Sequence, residues 1–566
     1  MSIAARKAKT RSLYGTVTGW SARKSPVACE GPKMKRKSPA TFAGCGLTPA
    51  SAGRNKWAAM TASIWMQCVS GSGYTFSFYS PLLKSTQLYD QQTLDTVAFF
   101  KDIGANAGVI SGAIYSSSPE ASRPRLVLAL GAVQCFAGYF FMWLSVSGIL
   151  HRPPVPLMCL FMLLAAHSLT FFNTADVVTA ARNFPDHRGT AIGIMKGYLG
   201  LSGAILIQVY ATVYGNDRSY FLLMLSLLPT ALALLLMYFV KVYPSNFQDD
   251  RPFLNVFSLI ALVSAGYLMA FIILENILTL GSSVRSLTLL LLLILLISPI
   301  IITMKGHLRD SMLPSATISH ERLLLANSDD PSEVPDLETE SEENLNLFQA
   351  MQNCNFWLLF ICMACGMGSG LATVNNISQI GSSLGYKSTE TATLVSLWSI
   401  WNFMGRFCTG YISDHLFRSR RIARPLLMVI TLASMSVGHA VIASGLPGAL
   451  YLGSVLVGVC YGSQWSLMPT ISSEIFGLRH LGTIFNAIAI ASPCGSYLLS
   501  VRVVGYIYDM ESHKRSCVGN HCFLLSFLIM AVCTLLGSGV ALALFFRTRE
   551  FYEQVLYARL RNLAVY

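Results

Sequence analysis

The chain is 566 residues long, 53% of them hydrophobic and only 12% charged, with a mean hydropathy of +0.52. Soluble domains carry about 25% charged residues, so one large water-soluble core is excluded. The formal net charge of +13 gathers at the ends of apolar blocks and in the first residues, where it orients a membrane protein and needs no nucleic acid to explain it.

Residues 1–56 hold twelve Lys or Arg and one acid, Glu30, with no secretory apolar core. This reads as a disordered, basic cytosolic tail that orients the first helix; the same composition suits an organellar transit peptide. Apolar segments of about 20 residues, enough to cross roughly 30 Å of hydrocarbon as helix, follow at 57–80, 95–116, 124–148, 155–180, 189–214 and 219–242. Two more occupy 253–276 and 285–305. Helix is the expected spanning form because it satisfies its own backbone bonds in lipid, and no segment alternates as a barrel strand does. A polar stretch, 306–353, carries eight acids between Asp329 and Glu343 and too little apolar surface to fold alone. Six further segments run at 355–380, 390–412, 424–444, 449–472, 483–507 and 523–546.

The expected fold is therefore an all-α membrane protein with about 14 transmembrane helices. It divides into a six-helix bundle (57–242), two inserted helices (253–305), an acidic cytosolic linker (306–353), a second six-helix bundle (354–546) and a cytosolic tail (547–566). Alternating the sides puts Arg123, Arg125, Arg182, Arg188, Lys241, Lys305, Arg309, Arg418, Arg420, Arg421, Arg424 and Arg479 on one side. Few basic residues fall opposite, so both termini are expected in the cytosol. Most of the 14 cysteines are isolated in apolar segments and act as small hydrophobes. Cys517 and Cys522 share a polar loop. A plain loop is the simplest reading; a disulfide, or a metal site with His513 and His521, are the alternatives.

The sharpest local motif is Gly405-Arg406-Phe-Cys-Thr-Gly410-Tyr-Ile-Ser-Asp414-His-Leu-Phe-Arg418-Ser-Arg420-Arg421. Glycine lets helices approach closely, and Asp414 can pair with an arginine or face the N-terminus of another helix. The first half has a counterpart at Gly108-Val-Ile-Ser-Gly112-Ala-Ile-Tyr-Ser116, where Ser116 stands in the place of the acid. A second pair is Asn183-Phe-Pro-Asp-His-Arg188-Gly189-Thr190 and Glu474-Ile-Phe-Gly-Leu-Arg479-His-Leu-Gly482-Thr483. Duplicated six-helix halves with a midplane site between them are a transporter architecture.

The Gly–Asp–basic loop resembles the signature of the major facilitator superfamily. Ser63-Ile-Trp65, Gly73-Tyr74, Leu83-Lys84-Ser85, Lys101-Asp102, Asn106, Lys196-Gly197 and Ser500-Val-Arg502 are similar to its plant nodulin-like branch. The resemblance covers most of 57–546. It implies a multi-pass carrier in which helices one, four, seven and ten line the cavity, without implying one substrate.

Ionisable residues inside spans are costly and so mark candidate sites. Lys196 is the deepest, with Asp102 or Asp176 as its expected partner. A lysine there suits an anionic substrate or a proton-coupled pair; a structural ion pair is the plainer use. Asn106, Gln67, Asn375, Asn376 and Gln464 complete the substrate or coupling set, with Asn375-Asn376 marking an expected break in helix seven. Gly410, Asp414, Arg418, Arg406, Glu474 and Arg479 form the expected gating loop. No P-loop, GxSxG elbow or HExxH motif occurs, so no enzyme, cofactor, metal or nucleic-acid partner is expected.

The reading is a secondary transporter of a small solute, working by alternating access, with proton coupling and an organic anion as the finer expectations. A receptor or sensor on the same fold is the alternative. The expected membrane is the plasma or the vacuolar membrane, or an organellar envelope if residues 1–56 are a transit peptide. The topology predicts that an epitope at Ser512 is reached by antibody on intact cells, while one at Glu338 is reached only after permeabilisation.

Overall fold

The computed structural model describes residues 55–119, 122–214, 219–243, 250–278, 281–312, 344–511 and 517–556. Most of the basic tail, most of the acidic linker, His513 to Arg515 and the last ten residues lie outside the described residues. No strand occurs among the described residues.

The first half begins with α1 (Lys56–Val69), whose first turn is capped by Asn55 accepting from the Ala58 amide at 2.7 Å. A 3₁₀ turn at Ser72–Thr75 separates it from α2 (Phe76–Gln87). Then come α3 (Gln91–Asn106) and α4 (Val109–Ser117), divided at Ala107–Gly108. The half closes with α5 (Arg123–Val146), α6 (Val155–Asn183), α7 (Arg188–Val213) and α8 (Ser219–Leu236). The insertion is α9 (Arg251–Ile277), α10 (Ser282–Ile297) and α11 (Pro299–Met312).

A short helix, α12 (Leu347–Gln352), leads into the second half. There α13 (Cys354–Ser383), α14 (Ser388–Arg420), α15 (Arg424–Ala443) and α16 (Ala449–Ile475) run without interruption. The next span is segmented into α17 (Leu481–Ala489), α18 (Ala491–Ser496), a π-helical stretch at Tyr497–Gly505 and α19 (Tyr506–Glu511). The last is α20 (His521–Phe551).

Eleven of these stretches are long and apolar enough to cross a membrane. The remaining three expected spans, 57–80, 390–412 and 449–472, are also helical but more polar. The first is broken by its 3₁₀ turn, the second carries Glu390 and Arg406, and the third is rich in Gly and Ser. Two expectations about continuity fail. Helix one breaks where glycines 71 and 73 flank Ser72, whereas α13 passes through Asn375 and Asn376 unbroken. Asn376 there donates to the Ala372 carbonyl at 2.7 Å, a bond within the helix that leaves its ladder intact. The loop at Cys517 and Cys522 is not plain, because the two sulfurs are joined as a disulfide. The joined sulfurs cannot serve as the thiolate pair that a metal would need.

Lipid offers no hydrophobic gain for helix association, so close contact has to come from small residues. Gly138 lets α5 rest on Ala165 of α6, Gly104 sets α3 on α6, and Gly405 with Gly462 brings α14 onto α16. The halves meet chiefly along two helix pairs, α7 with α14 and α4 with α17, with lesser contacts of α16 on α7 and α17 on α6.

The insertion packs outside the bundles but touches both. In it, α9 contacts α7 and α14, with Tyr411 Oη donating to Asn255 Oδ1 at 3.2 Å, and α11 contacts α1. Trp65 Nε1 donates to the Leu296 carbonyl at 2.6 Å, and Trp57 lies among Phe184, Phe253 and Phe257.

A buried ion pair pins this corner, Lys56 Nζ to Asp250 Oδ1 at 2.7 Å with both side chains about nine-tenths covered. Burial raises the Asp250 pKa even with Lys56 pulling it down. Lys56→Met is expected to cost about 3 kcal/mol by stranding that carboxylate. Lys56→Met with Asp250→Leu should recover most of the loss. Thermal melting in detergent measures both; equal melting of the single and double variants would show the pair idle.

Candidate functional site

Two layers of polar residues lie on the seam. In the inner layer Lys196 projects from α7, with Nζ donating to Asn173 Oδ1 of α6 at 2.9 Å. The same Nζ stands 5.1 Å from the centre of the Trp465 ring and 5.5 Å from that of Phe485. From the other half Arg406 of α14 approaches the same indole, its guanidinium carbon 5.5 Å from the ring centre. Arg406 Nε donates to Asn402 Oδ1 at 2.8 Å, Nη1 to the Lys196 carbonyl at 3.2 Å and Nη2 to Tyr74 Oη at 2.9 Å. Tyr74 sits in the 3₁₀ turn of helix one, so the break delivers its ring to the seam.

Lys196 and Arg406 are 1% and 0% exposed, and neither has a carboxylate partner among the described residues. Two like charges taken out of water without an acid are costly, and their neighbours here are neutral oxygens and aromatic faces.

The expected acids go elsewhere. Asp102 pairs with its neighbour Lys101 at 3.0 Å. Asp176, fully buried, accepts from Gln67 Nε2 at 2.7 Å, and its Oδ1 has no hydrogen-bond partner. The pairing of Lys196 with either acid is thus corrected: the position on α6 that faces α7 is Asn173, while Asp176 turns to α1.

The other candidates also scatter. Asn106 donates to the Asp102 carbonyl of its own helix at 2.9 Å, and Asn375 is exposed. Gln464 faces into the second half, Nε2 donating to Met435 Sδ at 3.6 Å. Asn402, Tyr74, Phe485 and Asn486 were missed as site residues. Asn402 had a signal, lying one helical turn before Arg406, and Tyr74 stands in the Gly73-Tyr74 pair that carries the family resemblance; Phe485 and Asn486 had none.

The outer layer lies at the end carrying the basic loops. Asp414 Oδ1 accepts from the Gly189 amide at 3.0 Å and Oδ2 from the Thr190 amide at 2.6 Å, the first free amides of α7. The carboxylate thus sits on the positive end of a helix from the other half. Arg424 binds the same Oδ1 at 2.9 Å and holds Glu474 Oε1 at 2.7 Å, and Tyr552 Oη donates to Glu474 Oε2 at 2.7 Å.

Gly410 makes this approach possible, since a Cβ there would meet the Gly189 carbonyl and lie 2.7 Å from Gly193 Cα. The counterpart motif closes the other seam: Gly112 abuts Gly482 and Thr483, and Ser116 Oγ lies 3.4 Å from Thr483 Oγ1. Above it Asn486 Nδ2 donates to Thr174 Oγ1 at 2.7 Å.

Arg418 donates to the Asp186 carbonyl at 3.1 Å, and Arg182 reaches the Leu478 carbonyl at 3.2 Å. His480 is held below its ordinary pKa by burial and by Arg479, Arg182 and Arg123. Arg406 belongs to the inner layer and not to this loop. Arg479 is exposed and contributes its backbone, its amide bonding Asn344 Oδ1 at 3.1 Å.

Asp414→Asn and Gly410→Leu should each open this end by about 2 kcal/mol or more. A cysteine at Ser116 should then react at least tenfold faster with a membrane-impermeant maleimide. An unchanged labelling rate in both variants would remove the clasp from the account.

The comparisons with known proteins agree with this architecture. The Nodulin-like family matches residues 56–304, and the C-terminal domain named NFD4 matches 341–554. Protein NUCLEAR FUSION DEFECTIVE 4 of Arabidopsis thaliana is 27% identical over 539 residues, covering 88% of this chain and 90% of that protein. A probable transporter, MCH1 of Yarrowia lipolytica, is 26% identical over 202 residues, which is 33% of this chain and 40% of its own. Among solved structures, the proton:xylose symporter XylE of E. coli superposes with a TM-score of 0.52 at 13% identity, covering 87% of this chain and 95% of the symporter. That likeness speaks for the fold alone. The chain is an integral multi-pass membrane protein with the helical fold of the major facilitator transporters, similar to the Nodulin-like family over its first half and to the NFD4 C-terminal domain over its second.

Proposed function

We propose that the protein carries a small organic anion across the membrane by alternating access, with Lys196 and Arg406 as the groups that hold it. One observation supports this above the rest: two fully buried basic side chains, one from each half, share the Trp465 ring and have no carboxylate partner among the described residues. A carboxylate or phosphate between them supplies the missing charge, and its hydrogen bonds replace those now made by Asn173, Asn402 and Tyr74. Because the two cations sit on opposite halves, one bound anion ties the halves together, which is what a substrate must do to favour the occluded form.

The outer layer is the gate of this scheme. With the basic loops in the cytosol, Asp414 on the α7 amides and Gly112 on Gly482 describe a carrier closed on the cytosolic side. Asp176 is the group through which a proton couples, being buried, bonded on one oxygen and next to Gln67 of α1.

Reconstituted protein is expected to take up labelled organic anions, and a panel of carboxylates and phosphate esters will identify the class. Lys196→Gln and Arg406→Gln should each raise KM roughly tenfold to hundredfold, the effect of losing one charge-assisted contact. Asp414→Asn should keep binding and lower turnover. Asp176→Asn should flatten the pH dependence of uptake. No flux for organic anions, sugars, amino acids or metal ions would overturn transport in favour of a receptor on the same fold.

A further inference from the structure

We propose that the inserted helices form a binding site for one anionic phospholipid, separate from the transport path. The helical path from α10 into α11 loses one ladder bond at Pro299, which has no amide, and the Ser298 hydroxyl donates instead to the Leu295 carbonyl at 2.7 Å. Opposite Ser298 and Pro299 runs α9. Between them is a cavity of about 280 Å³, walled by Phe253, Val256, Ile260, Ile301 and Ile302 and bounded at one end by Lys305. Val256 and Ile301 are 45% and 58% exposed, so the cavity opens away from the bundles, toward the acyl chains of the bilayer.

The charges at its lower end favour an anion. Lys305 is exposed, one turn beyond Ile301, and has no ion-pair partner among the described residues. Arg309 follows one turn later with its guanidinium carbon 4.5 Å from the Phe253 ring centre, and Arg251 begins α9. The nearby acid Asp250 is already held by Lys56 at 2.7 Å, and Asp310 follows Arg309 in the chain.

A carbon-lined slot that faces lipid and ends at a lysine fits a two-part ligand, an acyl chain with an anionic head. A free polar metabolite has no use for the apolar wall, and a zwitterionic lipid gains little from the lysine. The slot lies at the clasp end of the helices, where Lys56, Asp250 and Arg309 cluster, which is the cytosolic leaflet in the expected topology. This inference needs only the membrane and not the anion-transport reading.

The test uses the full chain in nanodiscs of phosphatidylcholine, with or without about one fifth phosphatidylglycerol, and reads retained lipid by native mass spectrometry. Wild type should keep one phosphatidylglycerol in preference to phosphatidylcholine. Lys305→Glu should lower that retention about fivefold. Ile301→Trp, which fills the slot and keeps the charge, should lower it as well, whereas Arg152→Glu on the opposite loop should not. Equal retention of the two lipids, or full retention in both Lys305→Glu and Ile301→Trp, overturns the proposal. So does displacement of the lipid by millimolar inorganic phosphate, which marks a plain anion site.

Discussion

A carboxylate seated on two backbone amides at the start of a helix decides how the two halves of this protein lie against each other. Asp414 can reach Gly189 and Thr190 only because Gly410 brings the backbone of α14 against that of α7. Arg424 pairs with it from the side, while Arg424 is itself fixed by Glu474 and Glu474 by Tyr552. One contact across the seam therefore draws on four elements of the second half: α14, α15, α16 and the end of α20. The inner layer depends on it as well, since Arg406 lies two turns up the same α14 and meets Lys196 two turns up the same α7.

The internal duplication explains why the closed end has two lines of contact rather than one. Gly112 on Gly482 repeats Gly410 on Gly189, with the roles of the halves exchanged. The repeats differ in chemistry: a carboxylate bound to two amides and an arginine holds one seam, and a serine hydroxyl 3.4 Å from a threonine holds the other. A charge-assisted bond to an amide is roughly twice as strong as a neutral one, so the Asp414 seam is the tighter hinge point and the Ser116 seam the softer.

Much of this was legible beforehand, and the limits have physical causes. Segment length and apolarity announce the spanning helices, and the Gly–Asp–Arg loop announces a close helix contact with a charge to place. Sequence could not choose the partner of Lys196, because Asn173 and Asp176 are three residues apart on α6 and their side chains differ by only about 60° around the helix. A small rotation of that helix exchanges them. The break in helix one was hidden for a different reason: glycines in a membrane helix serve close packing as often as they interrupt the ladder. Tyr74 matters only because of that break. Asn375-Asn376 misled in the opposite sense, since asparagine amides in lipid bond readily to their own helix.

On the anion-carrier proposal, two buried basic side chains with no carboxylate partner among the described residues bear on the direction of traffic. An empty site must close around Lys196 and Arg406 with only asparagine, tyrosine and ring faces to screen them, whereas a loaded site closes around a neutralised pair. In a carrier of the proposed kind the return stroke would be slow when nothing is bound and fast when a second anion takes the place of the first. Such a carrier would work as an exchanger: its rate on one face of the membrane would depend on what waits at the other, and its net output would follow the ratio of two pools more than the size of either.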